Sequence, residues 1–130
     1  MSGKNEMRIG KITQTAWQRS VRKQLHTEDD RTLSGPSPWE TCSGSDTEAG
    51  GYVWTDAHAA GDDDRTGYYA VYHAAGELAA RGVRAKGVSV RVMLPFRSSE
   101  DKLGRIAAGV DRACREMDMQ VRAFQGEVTG

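Results

Sequence analysis

Residues 65–82 read RTGYYAVYHAAGELAARG, and residues 88–95 read VSVRVMLP. In the first stretch Tyr68, Val71, Tyr72, Ala75, Leu78 and Ala79 recur at intervals of three and four, the spacing of one helix face. Gly82 stands where such a helix would close on a left-handed residue. In the second stretch Val88, Val90, Val92 and Leu94 alternate with Ser89, Arg91 and Met93, and Pro95 ends the run. That alternation is a half-buried strand. A helix over about 65–81 feeding a strand over 88–94 makes a helix layer on a sheet, and the neighbouring segments extend it in both directions.

Downstream, Ser98 or Ser99 can cap a helix whose Glu100 and Asp101 sit at its positive end. Leu103, Ile106, Val110, Ala113 and Met117 continue its apolar stripe, and Met119 to Phe124 reads as a last short strand. Upstream, Tyr52 to Thr55 follows Gly50-Gly51 and reads as a strand that delivers Asp56 to its C-terminal end. The order βαβαβ predicts an α/β or α+β class, with α+β preferred: a mixed sheet of about four strands covered on one face by helices. The open face predicts sheet pairing in a homodimer. Near the N-terminus, Trp17, Val21 and Leu25 lie at i, i+4 and i+8, a surface helix over Thr13 to Leu25. Between these parts the composition turns to Ser, Thr, Gly, Pro and acids. Residues 27–50 are therefore expected to be loop, with one short strand near Trp39 to Cys42.

The 130-residue length predicts a single domain over 1–130, and 38% hydrophobic residues exclude a wholly disordered chain. No apolar run approaches the ~18 residues that would span a bilayer, and Met1 to Gly10 is too polar for a signal peptide. The expectation is a soluble, cytoplasmic protein with no membrane partner. Cys42 and Cys114 lack metal-ligand spacing and read as reduced and passive. The net charge of zero hides three blocks: +5 over residues 1–26, −9 over 27–64 and +4 over 65–130. The acidic middle block would repel phosphate backbones, so nucleic acid is not an expected partner.

Candidate chemistry rests on the acids. Asp56 at a strand end, Asp62 to Asp64 before a helix, Glu77 within it and Glu127 after the last strand could gather at one sheet edge. Carboxylates in an open arrangement hold Mg²⁺ when waters and substrate phosphates complete the octahedron. A solvated loop or helix-cap role is the competing reading for each. His26, His58 and His73 read as surface or capping residues, and Tyr68, Tyr69 and Tyr72 as packing. Cys114 falls on the apolar stripe, while Cys42 has no evident activating base. No nucleophile elbow, P-loop or GxGxxG is present, and no catalytic residue is assigned.

The stretch from Gly67 to Gly82, the strand ending at Pro95 and the run IAAGVDRACRE over residues 106–116 together resemble the N-terminal domain of the aminoimidazole ribonucleotide (AIR) synthetase, or PurM-like, superfamily. Arg8 to Ile12 and the helix through Leu25 resemble the opening of its HypE-like branch, the hydrogenase maturation relatives. The family pattern A-N-[DE]-[IL]-A-A-x-G is matched by residues 75–82, AGELAARG, and its strand-end T-D by Thr55-Asp56. The resemblance implies ATP and Mg²⁺ as cofactors, with Asp56 and Glu77 holding the metal on the phosphates. It also places Glu127 among the cofactor-binding residues, since residues 125–129, QGEVT, resemble a shortened form of the family's GGxTEVT loop. Paired sheets in a dimer are implied as well.

Some positions depart from the pattern. Thr41 stands where the family has an acid, Gly76 where it has Asn, and Ala123-Phe124 where it has paired glycines. Each removes a contact expected to support nucleotide binding. Family enzymes also carry a C-terminal domain that completes the active site, so a separately encoded C-terminal half is an expected partner. Two functions follow from the resemblance: an ATP and Mg²⁺ binding domain that is incomplete alone, or a non-catalytic dimerisation module of the same fold. A third, an acidic interaction protein without nucleotide, would rest on the −9 block.

Overall fold

A computed structural model describes residues 6–27, 29–34 and 36–130. The chain is α+β and divides into two compact units, Met1–Trp54 and Thr55–Gly130, where the length alone suggested one domain. Glu28 and Gly35, both within the expected loop, lie outside the described residues.

The first unit opens with helix α1, Gln14–Ser20, whose N-terminus is capped by Thr13: its Oγ1 accepts the Ala16 N–H at 3.2 Å. The expected helix to Leu25 stops short. A 3-10 turn over Arg22–Gln24 replaces its last turn, and α1 buries no residue, so little packing holds the Trp17 stripe in longer helical form. Within residues 27–50 the structure places two strands, β1 (Thr32–Ser34) and β2 (Cys42–Thr47). They join β3 (Gly50–Thr55) in a sheet of order β1-β2-β3, with β1 antiparallel to β2. The two-residue turn Glu48-Ala49 links β2 to β3, and Gly50 follows it at φ +116°, a value that L side chains rarely adopt.

The second unit carries helix α2 (Thr66–Ala79), strand β4 (Gly87–Pro95), helix α3 (Glu100–Glu116) and strand β5 (Gln120–Thr129). Both helices end in the same hydrogen-bond pattern. Val83 N–H donates to the Leu78 carbonyl at 3.0 Å and Gly82 N–H to that of Ala79 at 2.9 Å, with Gly82 at φ +74°. After α3, Met119 N–H reaches the Cys114 carbonyl at 2.8 Å and Asp118 takes φ +54°. At the other end of α3, Ser99 Oγ accepts the Lys102 N–H at 3.1 Å, the expected cap.

The core of this unit is Val71, Leu78, Ala85, Leu94, Ile106, Val110, Ala113, Cys114 and Met119. Helices α2 and α3 approach closely at Gly67. A Cβ there would stand 2.8 Å from Val110 Cγ2 and 3.1 Å from both Cγ2 and the carbonyl oxygen of Ile106. Only a residue without a side chain permits that crossing.

The mixed four-strand sheet is corrected to two sheets. Strand β3 takes its hydrogen bonds from β2, its neighbour across a tight turn, and β4 pairs with β5 alone, in parallel. The last strand also runs five residues beyond the expected Phe124, because the parallel ladder matches β4 along its whole length, from Gly87 opposite Gln120 to Pro95 opposite Thr129. Arg122 is the one residue of β5 without a partner, where the register shifts. Gly126 faces α3, since a Cβ on it would lie 3.9 Å from Leu103 Cδ1. Glu127, next in the strand, points to the opposite face.

Candidate functional site

The acidic run before α2 is held by cations. Lys102 Nζ contacts Asp62 Oδ1, Arg105 Nε lies 2.9 Å from Asp64 Oδ2, and Arg65 Nη2 lies 3.2 Å from Asp63 Oδ2. Asp63 also accepts the Arg65 backbone N–H at 2.7 Å. Hydrogen bonding from the Arg65 side chain, then from its backbone N–H, lowers the Asp63 pKa below the ordinary carboxylate value. Each acid of the run therefore has its own counter-charge. Two of the three cations come from α3, so the run fastens the loop before α2 to α3.

Asp56 differs. It follows β3 directly, is exposed, and its carboxylate has no hydrogen-bond or ionic partner among the described residues. Glu77 lies in α2, where His73 Nε2 stands 3.3 Å from its Oε1. Glu127 Oε1 lies 3.9 Å from Arg91 Nη1 on the sheet face away from α3. No group of three or more His, Cys, Asp or Glu side chains that could hold a metal ion occurs among the described residues. A cation at Asp56 would need a ligand's own oxygens to complete its shell.

Tyr68 and Tyr72 pack around an acid, while Tyr69 stays exposed, edge-on to Tyr68. Tyr68 Oη donates to Glu116 Oε2 at 2.6 Å and Tyr72 Oη to the same oxygen at 2.5 Å. Arg112 stacks 4.4 Å above the Tyr68 ring centroid, with Nε 3.9 Å from Glu116 Oε1. The hydroxyls of Tyr68 and then Tyr72 hold the Glu116 carboxyl below its ordinary pKa, while Tyr72 is driven up, first by its hydrogen bond to Glu116. Because the folded-state pKa of Glu116 is depressed, its contribution to stability is present above the ordinary carboxylate range and is lost as pH falls through the folded value. Urea titrations at successively lower pH should therefore show wild type losing a component of stability that Glu116→Gln lacks at every pH. Identical pH profiles for the two proteins would refute the role assigned to Glu116. Burial, and to a smaller extent Asp111, pushes the Cys114 thiol up, in keeping with a passive core cysteine.

One feature of the first unit was not singled out in the sequence. A cleft of about 340 Å³ is lined by Arg22, Asp29, Thr32, Ser45, Tyr52 and Trp54, among others. The Tyr52 and Trp54 rings stack with centroids 5.1 Å apart at 30°. The available signal was their i, i+2 spacing, which puts two large aromatics on one face of a strand otherwise short of apolar residues.

No helix among the described residues is long and apolar enough to cross a membrane. No family model matches the chain, and no curated protein matches it. Solved structures do share its fold. Thiamine monophosphate kinase from Aquifex aeolicus superposes with a TM-score of 0.59 at 16% identity, over 95% of this chain and 40% of the kinase chain. The kinase AaThiL complexed with AMPPCP and TMP gives a TM-score of 0.64 at 16% identity, over 98% of this chain and 41% of that chain. This chain thus spans about two fifths of the length of those kinases, and the likeness shows that it shares their fold.

Proposed function

We propose that the chain is a PurM-like nucleotide-binding domain that takes ATP with Mg²⁺ at Asp56, with Glu77 as the second carboxylate and no turnover of its own. The observation that carries this reading is the unpartnered Asp56 carboxylate at the end of β3. It stands in a fold shared with a kinase that was solved with the ATP analogue AMPPCP. The donor set fits magnesium only in the shared mode, in which one or two protein carboxylates bind the ion and phosphates with water supply the rest. Glu77 would join by exchanging its His73 contact for the ion. Bound there, the metal would neutralise phosphate charge. Glu127 faces away from α3 and beside Arg91, which favours a role in bracing β4 and β5 over one in the nucleotide site. The HypE-like branch and a separately encoded C-terminal half belong to this reading as its finer form.

Calorimetry tests it. Mg²⁺ should tighten ATP binding to a Kd on the order of 0.1 to 1 mM, weak because Thr41 and Gly76 depart from the family pattern. Asp56→Asn should abolish the Mg²⁺-dependent part, whereas Asp63→Asn should leave it, since Asp63 is engaged by Arg65. Equal losses for the two variants, or no Mg²⁺-dependent heat, would remove ATP from the reading.

A second reading, a homodimerisation module, is favoured by the sheet of the second unit. Strand β5 is exposed at all ten positions, and Met93, Val121, Phe124 and Val128 remain uncovered. Sedimentation at micromolar concentration should give a dimer, and a monomer there would defeat it.

A further inference from the structure

We propose that the cleft of the first unit binds a nucleobase-bearing phosphate ester, a planar amino-heterocycle carrying an anionic tail, without Mg²⁺ and independently of Asp56. Three groups carry the assignment. Tyr52 and Trp54 form a stacked pair that is still 55% and 43% exposed, which leaves aromatic surface in the cleft for a third π-system. Stacking on paired aromatics accepts any nucleobase, because every base has a π-face. Arg22 lines the same cleft and has no ionic partner among the described residues, which leaves its guanidinium for a phosphate.

Asp29 supplies the third group. Its Oδ1 already accepts the Arg31 N–H and the Thr32 hydroxyl, each at 3.1 Å. Those bonds fix the carboxylate and leave Oδ2 to accept from an exocyclic amino group. A cation, a fixed acceptor and an aromatic face together select a ligand that is at once anionic, amino-bearing and flat. The volume of about 340 Å³ lies within the range of small-molecule sites. An aliphatic phosphate would leave the rings unused, and an apolar peptide would bury both Arg22 and Asp29 without partners.

Calorimetry on the whole chain in EDTA, with AMP as the probe, tests the proposal. AMP should bind saturably at millimolar concentration, adenosine roughly tenfold more weakly for want of the phosphate, and ribose 5-phosphate without saturation. Arg22→Gln should reduce AMP to the affinity of adenosine. Trp54→Leu should weaken AMP by about tenfold or more, while Trp54→Phe, which keeps a ring, should stay near wild type. Asp56→Asn should leave AMP binding intact, so failure here and failure of the Mg²⁺-ATP reading are read from different variants. Circular dichroism checks that each variant is folded, and Tyr52→Leu replaces Trp54→Leu if the latter is not. Absence of AMP heat overturns the proposal. So do folded Arg22→Gln and aromatic-to-Leu variants that bind like wild type, or an AMP signal that disappears with Asp56→Asn.

Discussion

Gly67→Ala is expected to lower the unfolding free energy of the second unit by roughly 1–3 kcal/mol, and Gly67→Val by more. The cost comes from the crossing of α2 and α3. A methyl group at this position meets Val110 Cγ2 at 2.8 Å, which a rotation of Val110 could relieve in part. It also meets the Ile106 carbonyl oxygen at 3.1 Å, and that atom is held in the helix backbone. The two helix axes must therefore separate, loosening the contacts of Val71, Ile106 and Val110 together. Gly76, on the same helix, has nothing within 4 Å of its Cβ position. Gly76→Ala should raise stability by about 0.5–1 kcal/mol through helix propensity alone. Urea denaturation of both variants checks the pair. If Gly67→Ala proved as benign as Gly76→Ala, the close crossing would be disproved.

Val110→Ala should cost about 1–3 kcal/mol by itself, because Val110 is 1% exposed and its loss opens a cavity between the helices. In the double variant Gly67→Ala/Val110→Ala the added methyl enters the space that Val110 vacates. The combined loss should then fall short of the sum of the singles by at least 0.5 kcal/mol, a coupling typical of side chains in contact. Strict additivity in the double-mutant cycle would mean that position 67 does not face Val110.

Much of the second unit was legible in the sequence, and the reason is amphipathicity. Val71, Leu78, Ile106, Val110 and Ala113, placed by the three-and-four spacing, are all buried, and β4 alternates along its length with Leu94 buried. Strands β1 and β2 carry no such signal. The run CSGSDT is held by its neighbours across a turn, and its polar residues resemble those of a loop. The C-terminal half of β5 was hidden for another reason: its length follows from its partner β4 and not from its own residues. At the candidate site, the position of Asp56 at a strand end was readable from Thr55-Asp56. The partners of Asp62 and Asp64 were not, because Lys102 and Arg105 lie about forty residues further on and reach them only through the packing of α3.

The unmatched residue in β5 marks one register for the pairing of two long strands. Two flat parallel strands could slide by two positions and keep every side chain on its proper face, trapping the chain in a nearly correct but wrong alignment. Arg122 interrupts that freedom. Its Cγ lies 2.9 Å from where a Cβ on Gly87 would be, so the register shift brings Arg122 against the one glycine of β4. Moving β5 by two places would set Arg122 beside Ser89, whose Cβ would stand where Gly87 has none, so Arg122 would have to shift. A single residue thus favours one alignment of the ladder as β5 zips onto β4.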